Sequence, residues 1–128
     1  MNGTDAAVLY RYDLTSEAWE VVEVIGDLPV ARSFFGSGIY NDAFYIFPGW
    51  VDSLGLTLDS TSRLDLSKIG SSENPTWELL SIQQIVNYST YIPRDAYASS
   101  LIENRFYIQG GYSAHGHLGN YILKLDLD

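Results

Sequence analysis

Few residues in this chain have the types and spacing that chemistry requires. Two histidines, His115 and His117, form an H-x-H pair, and positions i and i+2 share one side of an extended strand. Such a pair offers a metal two nitrogens, whereas zinc takes three or four ligands. The chain holds no further histidine and no cysteine, so only Asp or Glu could complete a set, and no metal site is expected. The missing cysteine also removes disulfides and thiolate chemistry. Serines are numerous, but none stands in a G-x-S-x-G turn and both histidines share one loop. No catalytic residue is assigned on that ground, and no enzyme is expected. The pair Gly110-Gly111 follows the apolar run Phe106-Tyr107-Ile108. A phosphate-cradling loop there would need a following helix and usually a lysine, and the sequence offers neither, so no cofactor is implied.

Charge and composition narrow the classes further. The formal net charge is −9 and the seven Lys and Arg residues are spread singly, which argues against nucleic acid, because phosphate binding needs clustered cations. No apolar run approaches the ~20 residues of a membrane span, so no membrane insertion is expected. The opening "MNGTDAAVLY" has neither the charged nor the long apolar region of a signal peptide. With the absence of cysteine, that favours a cytoplasmic setting. Two N-x-S/T sequons occur, at Asn2 and Asn87. With 46% hydrophobic and 18% charged residues over 128 positions, the chain reads as globular and as one ordinary domain. Ten tyrosines, five phenylalanines and three tryptophans favour strands over helices.

The elements that must position these residues recur in a fixed order. An aromatic-apolar run ending in glycine appears as "FYIFPG" at 44–49 and "FYIQGG" at 106–111. A basic residue leads to Asp-Leu in "RYDL", "RLDL" and "KLDL", placing Asp13, Asp65 and Asp126 in equivalent positions. A tryptophan precedes alternating apolars at Trp19 and Trp77, and a proline precedes an arginine and an aromatic around Arg32 and Arg94. Arg32 to Gly49 spans 17 residues, as does Arg94 to Gly111, and Gly49 to Asp65 spans 16 against 15 for Gly111 to Asp126. The apolar patterning predicts strands near 7–13, 19–24, 34–40, 43–48, 61–66, 76–82, 96–102, 105–110 and 120–126. Tight turns are expected at Asn41-Asp42 and Glu103-Asn104. The best helical candidate is the short "SIQQIVNYS" at 81–89. An all-β barrel, sandwich or propeller is the class this implies.

This ordered succession resembles the kelch repeat, with its diglycine after an apolar strand, Tyr-Asp-like pair, tryptophan and basic residue. The diglycine is intact at Gly110-Gly111 and reduced to Pro48-Gly49; the pair is intact at Tyr12-Asp13 and appears as Leu64-Asp65 and Leu125-Asp126. The resemblance implies an all-β fold of antiparallel four-stranded blades from a β-propeller. With strands named A to D from the inside outward, the chain runs C, D, then A to D, then A to C. One full blade is thus expected within residues 33–93, flanked by the end of one blade in 1–32 and the start of another in 94–128. Trp19 and Trp77 are expected to lie buried between blades. The remaining blades would come from the parent chain or from another copy.

The same resemblance places the D-to-A and B-to-C connections on one face. Those connections carry Arg32, Trp50, Asp52, Tyr91, Arg94, Tyr112, His115 and His117. Loops on a rigid scaffold are where binding concentrates, and aromatic and arginine residues anchor interfaces. The expected function is a protein-interaction module with a protein or peptide partner. The two arginines would suit a local carboxylate or phosphate, although the alternative of a structural bond between blades applies to both. A propeller-scaffold enzyme or a domain binding a small ligand or carbohydrate is the other reading.

Overall fold

The computed structural model describes residues 8–81, 93–117, 119 and 122–127. Tyr91, the sequons at Asn2 and Asn87, and residues 82–89 of the helical candidate lie outside them. The described residues are all-β: fourteen strands and one short 3-10 turn at Leu66–Lys68. Among them no helix is long and apolar enough to cross a membrane.

The chain enters through an antiparallel hairpin of β1 (Leu9–Asp13) and β2 (Ala18–Val22). Asp13 closes its turn, its Oδ1 accepting from the Thr15 and Ser16 amides at 2.8 Å each. These bonds hold the Asp13 carboxyl below its ordinary range. Next comes the short β3 (Ile25–Gly26), then β4 (Ser37–Tyr40) and β5 (Ala43–Ile46), joined by Asn41 and Asp42, both at positive φ. That is the backbone a two-residue hairpin between twisted strands requires. β8 (Ser60–Asp65) and β9 (Thr76–Ser81) complete one antiparallel sheet in the order β4-β5-β8-β9, with β3 added in parallel on the β9 edge. A second sheet has the order β10 (Ala98–Ile102), β11 (Arg105–Gln109), β14 (Ile122–Asp126). All nine strand runs expected from the patterning are present. No sheet closes on itself among the described residues.

The two larger sheets pack face to face. Ala43, Tyr45 and Phe47 of the first meet Phe106, Ile108 and Leu125 of the second, and the Phe47 and Phe106 rings stack with centroids 3.5 Å apart. Both phenylalanines are fully buried, and each such burial stabilises by about 1.5–3 kcal/mol. Gly38 lets β4 approach β10, since a Cβ there would lie 2.6 Å from Leu101 Cδ2. Polar bonds cross the same boundary. The Ala96 amide donates to Phe34 O at 3.0 Å. The Gly36 amide donates to Tyr97 Oη at 2.9 Å, and that hydroxyl donates to Pro48 O at 2.7 Å.

The two tryptophans differ from the expectation of equal burial. Trp77 is buried, 4% exposed, and lies edge-on to Phe44 two strands away in its own sheet. Trp19 is 70% exposed. Among the described residues its hairpin has two strands, and its aromatic neighbour is Tyr12 at 5.1 Å, directly across the ladder. A tryptophan on a two-stranded ribbon has no third strand to cover it, whatever its sequence pattern.

Candidate binding cleft between two hairpins

Where β5 ends, the chain leaves the sheet and forms a small hairpin of β6 (Gly49–Val51) and β7 (Leu56–Leu58). Where β11 ends, it does the same with β12 (Tyr112–Ser113) and β13 (Gly116–His117). Each hairpin is tied to the segment that enters its sheet. Ser33 and Trp50 exchange backbone bonds of 2.8 and 2.9 Å, and Asp95 and Tyr112 exchange bonds of 3.0 and 2.9 Å. These two ties lie 62 residues apart in sequence, as do the positive-φ residues Phe34 and Ala96.

The glycines make those ties possible. A Cβ on Gly49 would sit 2.6 Å from Ser33 O, and one on Gly111 would sit 2.8 Å from Asp95 O. Gly111 also has φ +101°, which disfavours a side chain independently. Gly110 supplies a carbonyl acceptor. Arg94, only 4% exposed, donates to it from Nη1 at 3.1 Å.

Between the hairpins lies a cleft of about 410 Å³. Trp50, Leu56 and Thr57 form one wall, and Tyr112 and His115 the other, with Asp95 between them. Asp95 is buried, and its Oδ2 accepts from Thr57 Oγ1 at 2.6 Å, so this bond links the first hairpin to the segment whose backbone holds Tyr112 of the second. Trp50 Nε1 donates to Asp52 Oδ1 at 2.6 Å, which fixes the indole plane. His117 pairs with Tyr112 across its hairpin, the rings edge-on at 4.9 Å. Among the described residues no three His, Asp or Glu residues group together as a metal site.

The geometry divides the residues singled out in the sequence. Trp50, Tyr112 and His115 line the cleft, and Asp52 borders it through Trp50. The arginines do other work. Arg32 is half-buried and donates through Nη1 to Ser60 O at 2.7 Å and to Phe47 O at 3.4 Å. Burial lowers its guanidinium pKa. Both arginines therefore bind main-chain carbonyls at the ends of strands in their own sheets, a structural role within each unit rather than the bond between blades stated as the alternative. Arg94 is too buried to meet a carboxylate or phosphate from outside. Leu56, Thr57 and Asp95 were not legible as site residues. The one available signal was that Asp95 follows Arg94 as Ser33 follows Arg32.

Chemically, the cleft offers flat aromatic surfaces and carboxylate oxygens. It suits contact with apolar or cationic groups.

No protein-family model matches the chain. Among curated proteins, a leucine-zipper-like transcriptional regulator 1 homolog from Drosophila melanogaster is 45% identical over 47 residues. That match covers 35% of this chain and spans about 5% of the length of the regulator.

Proposed function

We propose that the chain is a segment of a kelch-type β-propeller and serves as a protein-interaction module, with the cleft between its two hairpins receiving a partner's side chain. The observation that carries this reading is the 62-residue recurrence of one local geometry. The Ser33–Trp50 tie recurs as Asp95–Tyr112, and the close approach at Gly49 recurs at Gly111. Consecutive units packed face to face are what a radial array of blades requires. Each marker also has a physical task that fits such a unit: the arginine bonds strand-end carbonyls, the glycine permits close approach, and the aspartate caps the turn after the third strand. Asp65 does so through the Ser67 amide at 2.9 Å.

The partner's contact group is apolar or cationic rather than anionic. Arg32 and Arg94 are engaged with backbone carbonyls, the lining is aromatic, and the chain carries a net −9. A displayed peptide library selected on the chain tests this. Recovered peptides should carry an aromatic, aliphatic or basic anchor, and should lose at least tenfold in affinity to a Trp50→Ala, Tyr112→Ala double variant that keeps its fold, as interface anchors do. Binders that are indifferent to those substitutions would place the interaction elsewhere.

A further inference from the structure

The cleft between the hairpins sets a buried carboxylate among aromatic side chains. Asp95 is 8% exposed, and the side-chain bond described for its carboxylate comes from a neutral group, the Thr57 hydroxyl, at 2.6 Å. Taking a charge out of water is costly unless a cation or several donors meet it, and a carboxylate can accept about four hydrogen bonds. The backbone exchange with Tyr112 holds Asp95 in place. Among the described residues, no lysine or arginine lines the cleft. Arg94, next to Asp95 in sequence, directs its Nη1 to the Gly110 carbonyl. At the cleft wall, Trp50 Nε1 donates to Asp52 Oδ1, which sets a second negative charge at the edge of the indole.

We propose that the occupant of this cleft is an arginine side chain of a partner protein, its guanidinium lying against Trp50 and Tyr112 and donating to Asp95. The inference rests on the cleft reading above and narrows it from an apolar or cationic group to one side chain, with Asp95 as the residue that sets specificity. Charge decides the sign. An apolar anchor would seal Asp95 from water and give it no donor, whereas a cation supplies one. The aromatic walls favour the same sign, since ring faces attract cations and the Asp52 carboxylate beside the indole adds to that attraction. Shape decides between arginine and lysine. A planar guanidinium can lie flat on a ring and still present its N–H edge to a carboxylate, and it is more weakly hydrated than an ammonium. The volume of about 410 Å³ is in the range of sites that enclose a small ligand, so a long side chain enters whole.

The test titrates the full chain with four capped tripeptides, Gly-X-Gly, in which X is arginine, citrulline, lysine or leucine. Citrulline keeps the length and planar end of arginine but carries a neutral urea. Binding is followed by nuclear magnetic resonance at the Trp50 indole N–H, identified by its loss in Trp50→Phe, and at the Tyr112 amide. The arginine peptide should bind about tenfold more tightly than the citrulline peptide, the size of one charged hydrogen bond, and more tightly than the lysine and leucine peptides. Asp95→Asn, which keeps an oxygen for Thr57, should bring the arginine-to-citrulline ratio near one. Glu103→Gln should keep the ratio. It removes the same charge from the exposed β10–β11 turn, at the end of β11 away from the hairpins. If Asp95→Asn does not fold, the arginine and citrulline peptides on the parent chain decide alone. Equal binding of those two, equal binding of lysine, or a ratio that survives in folded Asp95→Asn overturns the proposal. A leucine peptide that binds best at the same signals also overturns it and leaves the cleft reading standing. If no peptide moves the Trp50 and Tyr112 signals, both fail.

Discussion

The Tyr97 hydroxyl joins the two larger sheets by accepting from one backbone group and donating to another. Replacing it by phenylalanine leaves the Gly36 amide and the Pro48 carbonyl without it. Tyr97→Phe should therefore cost about 1–3 kcal/mol in urea denaturation, the range for stranding buried polar groups. The same burial pushes the phenol up to about 12, from its ordinary 10.0. The folded chain thus holds this proton more tightly than the unfolded chain. The resulting stabilisation is complete below pH 10 and is lost as pH rises through 12. An ultraviolet titration should show a late-ionising tyrosine that is absent in Tyr97→Phe. Arginine makes the same kind of link at strand ends. Arg94→Ala should lower stability by roughly 1–3 kcal/mol, as for a hydrogen bond from a charged donor, and a variant as stable as the parent chain would return Arg94 to the list of binding candidates. At this scale the sequence displayed the donors, through their repeated spacing of 17 residues. It could not display the acceptors, because a backbone carbonyl belongs to every residue alike.

At the scale of elements, the two small hairpins depend on glycines that admit a neighbouring backbone. Gly111→Ala should destabilise more than Gly49→Ala, because Gly111 combines a 2.8 Å approach to Asp95 O with φ +101° whereas Gly49 has the approach alone. Gly55 supplies the control. It has φ +61° but nothing within 4 Å of a built Cβ, so Gly55→Ala should show only the left-handed backbone cost of about 1 kcal/mol. Chemical denaturation of the three variants orders them, and equal losses at all three would remove close approach as the cause. The nine main strands were legible because each alternates over four or more residues and ends in a turn signal. The five short ones, β3, β6, β7, β12 and β13, were not. Two or three residues cannot establish a period, and these strands are held by ties to Ser33, Asp95 and β9 that are distant in sequence. Because the hairpins were read as plain loops, the cleft between them was not foreseen, although Trp50, Tyr112 and His115 were singled out.

At the scale of the molecule, a repeat shows which faces should meet but not which of them find a neighbour. Tyr97 and Leu101 pack against the sheet before them, whereas Phe35 and Ile39, their counterparts 62 residues earlier, are 41% and 65% exposed. Trp19 and Trp77 diverge for the same reason: their sequence patterns match, and only one has a sheet around it. Cooperativity should follow that division. Phe47, Phe106, Ile108 and Leu125 form one core from two sheets, so those sheets should unfold together. The β1–β2 hairpin has its own ladder, the Asp13 turn and the Tyr12–Trp19 contact, and an isolated two-stranded hairpin is marginal in water. Native-state hydrogen exchange should therefore give β5, β8 and β11 amides protection near the global unfolding free energy, and β1 and β2 amides far less. Trp19→Phe should leave the denaturation midpoint nearly unchanged while removing the emission that acrylamide quenches most readily. Trp77→Ala should cost about 3–5 kcal/mol, as large aromatic truncations in cores do. Uniform protection across all strands, or a Trp19 substitution as damaging as that at Trp77, would show that the hairpin is bound into the core by contacts beyond its own two strands.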